Sequence, residues 1–310
     1  MNSPLLSICI PTYNRERYLK ECLDSITCQF TDENIRRQVE IIISDNASDD
    51  NTAGMVRGYQ LSFDNIFYSR NESNLGYDRN VEKAVYQAKG NFIWTLCSDE
   101  LIKPDALIFL FSVFTHYPDI AWICIDNGDE QKDDIEEYAD GSDWLKRRNL
   151  AGGQLSQNIY NRKYLPVDIK RYFGNLWIHY SLAREITVKQ PQLSVKNLFK
   201  IPEVEHPCDW AGGGEVLITY IKLQQIIADL PAIGYDKKAI AVMLRSLAKG
   251  LLRQVASAKI HGLKVNIGNF KLIFRNYYLH PAYLFLAMIV FLLPSRLLYR
   301  LKHLCLKKGT

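Results

Sequence analysis

The sequence has no glycine-rich phosphate loop. Neither GxxxxGK[ST] nor GxGxxG occurs in its 310 residues, so P-loop and dinucleotide-binding Rossmann chemistry are excluded. HExxH is absent too. The seven cysteines, at 9, 22, 28, 97, 124, 208 and 305, form no CxxC pair and no Cys/His cluster. That argues against structural zinc and against a disulfide framework, and for reduced thiols. Charge of one sign is scarce in excess: the net charge of +4 makes no case for nucleic acid as a partner. Long hydrophobic runs are missing as well. Ala282–Leu293 is apolar for 12 residues, short of the roughly 20 that a spanning helix needs. A strand starting at about Leu5 leaves no room for a signal peptide, so a cytoplasmic setting is expected. The sequons at Asn46 and Asn71 then read as chance matches.

What is present is alternation. Leu5–Ile10 is of strand type, and Pro11-Thr12-Tyr13-Asn14-Arg15 turns into a helix whose buried face is Leu19, Cys22, Leu23 and Ile26. Val39–Ser44 is a second strand, ending in Asp45 and a turn rich in caps. Asn65–Ser69 is a third. NESNLGYDRN (71–80) leads into a helix with Val81, Ala84, Val85 and Ala88 inward, and Gly90 reads as its C-cap. Phe92–Leu96 is a buried strand that stops at Cys97-Ser98-Asp99-Glu100. Pro104 opens a helix with Leu107, Leu110, Phe111 and Phe114 inward, and Ile120–Ile125 is a further strand. Strand–helix alternation of this kind predicts an α/β fold, a mostly parallel Rossmann-like sheet flanked by helices.

The second half is less regular. Asp126–Asp143 is acidic, without apolar periodicity, and reads as an exposed, mobile loop. Cys208–Gly214 reads as a flexible turn, Glu215–Ile227 as a helix, and Asp236–Lys259 as a second helix with a basic outer face. Ala282–Leu293 suits a core helix by length. It also suits a membrane-surface helix, because Arg296, Arg300, Lys302, Lys307 and Lys308 follow it, interleaved with leucines.

In such a sheet, ligands bind outside the carboxyl ends of the strands. The loops there carry Pro11, Thr12 and Tyr13, then Asp45, then Asn74, Leu75, Gly76 and Arg79, then Cys97, Ser98, Asp99 and Glu100. A carboxylate after the second strand can accept hydrogen bonds from a base or ribose. An arginine near a helix start can stack on a base or bind phosphate. The adjacent acids Asp99 and Glu100 suit a hard divalent cation shared with a diphosphate. The same two acids also suit a plain helix start before Pro104. As an ordered set, these loops describe a nucleotide-diphosphate site in which a cation does the neutralising.

The stretches SICIPTYNRERYLKECLDSI, EIIISDNASDDNT and NLGYDRNVEKAVYQAKGNFIWTLCSDE resemble the inverting glycosyltransferases of family 2, which have the GT-A fold. The likeness covers residues 5–125 closely and 126–235 loosely. Within the family, the chain is similar to bacterial sugar transferases of O-antigen and capsule synthesis, abequosyltransferase-like proteins among them. The resemblance implies a GT-A domain over 1–235, with 1–125 binding the nucleotide sugar and 126–235 the acceptor. Residues 236–310 would form a helical, basic region, possible membrane contact included. It implies that Pro11, Thr12, Tyr13, Asp45, Asn74, Gly76, Arg79 and Ser98 bind the nucleotide sugar. Asp99, with Glu100, would hold Mg²⁺ or Mn²⁺. Cys97 stands where the family has the first acid of its DXD motif, which puts strict metal dependence in doubt.

The family's base is an acid at a helix start in the second half. Glu215 is the first candidate and Asp209 the second, while Glu215 also suits a simple helix cap. His179 and His206 read as structural. The activity implied is transfer of a sugar, with inversion, to a hydroxyl of a polyprenyl-diphosphate-linked saccharide, at the cytoplasmic face of the inner membrane. The alternative is an inactive nucleotide-sugar-binding subunit of a polysaccharide assembly complex.

Overall fold

The computed structural model describes residues 3–126, 134–148, 151–200, 215–260, 262–264, 266–277 and 281–299. They form two compact units, 1–204 and 205–310. The boundary expected from the sequence is at 235, whereas the compact units part between 204 and 205.

The first unit opens with the alternation the sequence predicts. It runs β1 (Leu6–Thr12), α1 (Glu16–Thr27), α2 (Glu33–Gln38), β2 (Val39–Asp45), α3 (Thr52–Gln60), β3 (Ile66–Arg70), α4 (Tyr77–Gln87) and β4 (Phe92–Thr95). All seven residues of β2 are buried, as a strand covered on both faces requires. The α1 face Leu19, Cys22, Leu23 and Ile26 is fully buried against the sheet core. Helix α2 starts on Asp32, whose carboxylate accepts from the backbone N–H of Asn34 and Ile35.

Then follow β5 (Leu101–Ile102), α5 (Ala106–His116), β6 (Trp122–Ile125), β7 (Ile135–Tyr138), α6 (Gly141–Arg148), β8 (Asn158–Asn161), α7 (Ile178–Ile186), β9 (Gln192–Val195) and β10 (Phe199–Lys200). The main sheet has the order β3-β2-β1-β4-β8-β6-β9-β7. Strands β3, β2, β1 and β4 are parallel, and β8 is antiparallel to both β4 and β6. The chain leaves β1 for β2 on one side and returns to β4 on the other. That reversal makes the crevice at their carboxyl ends the place for a ligand.

Three local expectations are corrected. Residues 134–143 are not loop throughout: β7 pairs antiparallel with β9, and α6 buries Trp144 and Leu145. Trp144 packs edge-on against Trp122 and Tyr138, an anchor that charge counting does not reveal. In α5, Val113 is buried while Phe111 is half-buried. Gly90 is not a left-handed cap. Ala88 ends α4, and a Cβ on Gly90 would stand 2.5 Å from Ser7 Oγ, so glycine is needed there for close approach to β1.

The second unit holds α8 (Glu215–Asp229), α9 (Lys237–Ile260), α10 (Ile267–Tyr277) and α11 (Pro281–Leu292). Its core joins Leu217 and Ile221 to Ala248, Leu251, Val255, Ala287 and Phe291. Helix α11 is two-faced: Leu284, Ala287 and Phe291 are buried, whereas Phe285, Leu286, Ile289 and Leu292 are exposed. Among the described residues, no helix is long and apolar enough to cross a membrane. The segment 208–214 lies outside the described residues.

Candidate active site

Strands β1 and β2 end in register, Thr12 beside Asp45. The Asn46 N–H donates to Thr12 O at 2.9 Å and continues the ladder past the strand ends. Pro11 is half-buried, and Tyr13 projects with its ring 41% exposed, a free face for stacking. Thr12 Oγ1 is buried with no hydrogen-bond partner among the described residues. A hydroxyl left so at the carboxyl end of a strand keeps its hydrogen-bonding capacity for a ligand or water.

Asp45 is fully buried. Its Oδ1 accepts from the Ser48 N–H (2.9 Å) and Ser48 Oγ (2.6 Å), and its Oδ2 accepts from the Tyr68 hydroxyl (2.5 Å). The acid is held ready on one side, with one lone pair of Oδ2 uncommitted. Burial, reinforced by the Asp45 carboxylate it bonds, pushes the Tyr68 phenol up. Arg70, opposite Asp45 in β3, donates to Ser48 O at 3.0 Å and fastens the same turn.

Asn46 and Asn71 are buried in a shared hydrogen-bond web. Asn46 Nδ2 donates to Asn74 Oδ1 (2.7 Å), and Asn46 Oδ1 accepts from Asn71 Nδ2 and the Leu75 N–H. Asn80, on the buried side of α4, closes the web through Ser44 and Asn71. Asn74 also accepts from the Gly76 N–H (2.9 Å), and Gly76 takes φ +82° to turn into α4. A side chain would be strained at that φ.

The first turn of α4 meets the segment before α7. Asp78 Oδ2 accepts from the N–H of Gly174 (2.7 Å) and Leu176 (3.2 Å), which fixes Leu176 at φ +63°. Arg79 lies over the Phe173 ring at 5.4 Å, so its guanidinium faces this segment, and Arg70 is the arginine at the Asp45 turn. His179 Nε2 is 2.9 Å from Gly153 O, and Nδ1 is 3.1 Å from the Tyr77 hydroxyl. The carbonyl can only accept, so Nε2 carries the proton and Tyr77 donates to Nδ1. Burial lowers the His179 pKa to about 4 and keeps the ring neutral. Tyr77 is 38% exposed as a residue, while burial of its hydroxyl pushes the phenol up.

The end of β4 rests on residues 154–157. Thr95 Oγ1 donates to Leu155 O, Trp94 Nε1 to Ser156 O, and the Cys97 N–H to Ser156 Oγ, each at 2.8 Å. Ser98 is buried. Burial, with Glu100 and Asp99 nearby, pushes the Cys97 thiol up, so it stays neutral. Asp99 is half-exposed and pairs with Arg15 Nη1 at 2.7 Å. Glu100 is buried with Oε2 unpartnered. Desolvation lifts its pKa to about 7, opposed by a hydrogen bond from Ser156 and reinforced by the Asp99 charge.

These groups fit a hard cation in a limited way. Asp99 offers an accessible carboxylate and Glu100 a buried oxygen without a partner, while Cys97 contributes no charge. Among the described residues, no three His, Cys, Asp or Glu are placed to hold a metal by themselves. A cation here would complete its shell from a bound diphosphate and water, as Mg²⁺ does in many phosphate sites. Of the proposed bases, Glu215 begins α8 with its side chain outside the described residues. Asp209 lies outside them altogether, as does His206.

Residues 7–164 match the family model described as Glycosyl transferase family 2. The chain is 35% identical over 167 residues to Abequosyltransferase RfbV of Salmonella typhimurium, covering 53% of this chain and 49% of that protein. It thus spans about half the length of that curated relative. In fold it is similar to S. aureus TarS 1–349 in complex with UDP-GlcNAc (TM-score 0.62, 19% identity, 96% and 92% covered). It is also similar to the mannosyltransferase PcManGT from Pyrobaculum calidifontis in complex with GDP-Man and Mn2+ (TM-score 0.56, 15% identity, 94% and 88% covered).

Proposed function

The chain belongs to glycosyl transferase family 2, and on that premise we propose that it transfers a sugar from a nucleoside-diphosphate sugar to a saccharide hydroxyl with inversion. One observation carries the reading. The ends of β1, β2 and β4 bring together an exposed aromatic residue (Tyr13), a pre-held carboxylate (Asp45) and a partly exposed carboxylate paired with Arg15 (Asp99). A nucleoside ring, the hydrogen-bonding edge of its base and a diphosphate call for three such surfaces.

In this mechanism Tyr13 covers the nucleoside and Asp45 accepts from the base, with Thr12, Asn74, Gly76 and Ser98 shaping the pocket. Asp99, assisted by Glu100, would hold a divalent cation, which would supply Lewis-acid stabilisation of the departing diphosphate's charge. The like-folded mannosyltransferase in complex with Mn2+ supports a cation of this kind. An acid from the second half, Glu215 or Asp209, takes the proton from the acceptor hydroxyl, a contribution of roughly 10²–10⁴-fold. Attack from the face opposite the diphosphate inverts the anomeric carbon. The likeness to an abequosyltransferase supports a deoxyhexose as the donor sugar and surface polysaccharide synthesis as the setting.

The acceptor is a polyprenyl-diphosphate-linked saccharide reached at the cytoplasmic face of the inner membrane. The exposed face of α11 supports this: Phe285, Leu286, Ile289 and Leu292, with the basic Arg296 beyond it. An apolar face flanked by cations suits the lipid boundary. The test is a thermal-shift screen of UDP, GDP, CDP and dTDP with and without Mn²⁺. One of the four should raise the melting temperature, and more so with Mn²⁺. No shift from any of them would overturn the donor-site reading.

A further inference from the structure

Arg15 is not among the expected site residues, yet it sets a cation directly on Asp99. Its guanidinium bonds Asp99 Oδ2 at 2.7 Å, with side chains 25% and 27% exposed, and lies 5.8 Å from the centre of the Tyr18 ring. The turn before it is clamped to the turn after β2. The Asn14 N–H donates to Ser48 Oγ (2.8 Å), and Asn14 Oδ1 accepts from the Asp49 N–H (2.7 Å). Asn14 itself takes φ +52°. Arg15 is therefore delivered to Asp99 by the same framework that holds Asp45.

The charge balance explains why a guanidinium belongs there. Asp99 is followed directly by a second acid, Glu100, whose Oε2 is buried without a hydrogen-bond partner among the described residues. Without a ligand, Arg15 supplies the neutralising charge. A guanidinium also matches phosphate oxygens in a two-pronged way, and a diphosphate carries more charge than a carboxylate. Entry of a diphosphate thus offers Arg15 a stronger partner and releases Asp99.

We propose that Arg15 is a gate between donor and cation: it covers Asp99 in the donor-free protein, passes to the diphosphate on binding, and so makes cation binding follow donor binding. This rests on the donor-site reading above. It means that two ligands are coupled through one side chain, and such coupling is reciprocal.

The test uses full-length protein and two probes that need no knowledge of the sugar or the base. Mn²⁺ alone is titrated by electron paramagnetic resonance, and inorganic pyrophosphate alone by calorimetry in metal-free buffer. Arg15→Met should bind Mn²⁺ alone about tenfold tighter than wild type, and pyrophosphate about tenfold more weakly. Adding Asp99→Asn should abolish the Mn²⁺ gain. Arg15→Lys keeps a cation and should fall between; it also serves if Arg15→Met fails to fold. Unchanged or weaker Mn²⁺ binding in Arg15→Met, or no Mn²⁺ binding in any form, overturns the gate, as does unchanged pyrophosphate affinity. The two readings fail separately. If nucleoside diphosphates stabilise wild type and Arg15→Met alike, the gate is wrong and the donor site stands. If none stabilises wild type while the Mn²⁺ gain is seen, the donor reading fails and Arg15 still covers Asp99.

Discussion

Tyr68 donates a 2.5 Å hydrogen bond to Asp45 Oδ2 from the neighbouring strand, and this bond makes the Asp45 carboxylate part of the fold. A buried carboxylate that loses a donor is costly, about 1–3 kcal/mol.

Asp45→Ala should therefore lower stability as well as nucleotide affinity. Asp45→Asn keeps the shape, and Tyr68→Phe removes one donor only. Tyr68→Phe should cost about 1 kcal/mol in denaturant unfolding and weaken nucleoside-diphosphate binding several-fold. Calorimetry on both variants checks this. Full affinity in Asp45→Asn would remove Asp45 from the base contact.

His179 gives a pH dependence with a definite sign. Its pKa is about 4 in the folded protein, against an ordinary value of 6.5. The unfolded chain takes up a proton between those values and the folded protein does not. The contribution is complete above pH 6.5 and is lost as pH falls toward 4, up to about 3 kcal/mol. Replacing His179 with Gln should flatten stability over that window while lowering it at pH 7, because Tyr77 and Gly153 lose their partner. Unfolding curves at pH 4.5 and 7 for both proteins decide it.

Helix α11 should carry membrane binding through its outer face. A Phe285→Ser, Ile289→Ser, Leu292→Ser variant changes exposed residues only and should fold normally. Wild type should float with anionic liposomes in low salt, and the variant should remain in the dense fraction. Equal flotation would assign the face another role.

On the proposed mechanism, an acid of the second half deprotonates the acceptor. Glu215→Gln should cut kcat by roughly 10²-fold or more and leave donor affinity nearly unchanged, since the loss belongs to the transition state. If Asp209→Asn abolishes turnover and Glu215→Gln does not, Asp209 is the base.

Much of the first half was legible because its signals are local. The β1, β2 and β4 runs and the α1 and α4 faces follow from apolar spacing, and Asp45 and Asp99 from their places at strand ends. What the sequence hid are partnerships across distance. Arg15 and Asp99 are 84 positions apart, and Tyr77 and His179 are 102 apart. Ser156, which receives the Cys97 N–H, sits in a stretch with no periodicity to mark it. Gly90 looked like a helix cap because the sequence does not show that β1 passes within contact of it. The acidic composition of 126–143 concealed β7, since a four-residue strand at a sheet edge needs little apolar content.

The central claim is donor cleavage at Asp99. The direct measurement is release of nucleoside diphosphate from UDP-, GDP-, CDP- and dTDP-sugars, with extracted lipid-linked saccharides as acceptors, by wild type and by Asp99→Asn. Wild type should release one nucleoside diphosphate in an acceptor-dependent way, and Asp99→Asn should be slower by roughly 10²-fold, about 3 kcal/mol of transition-state stabilisation. Release by wild type from none of the donors, or equal release by Asp99→Asn in saturating Mn²⁺, would contradict it.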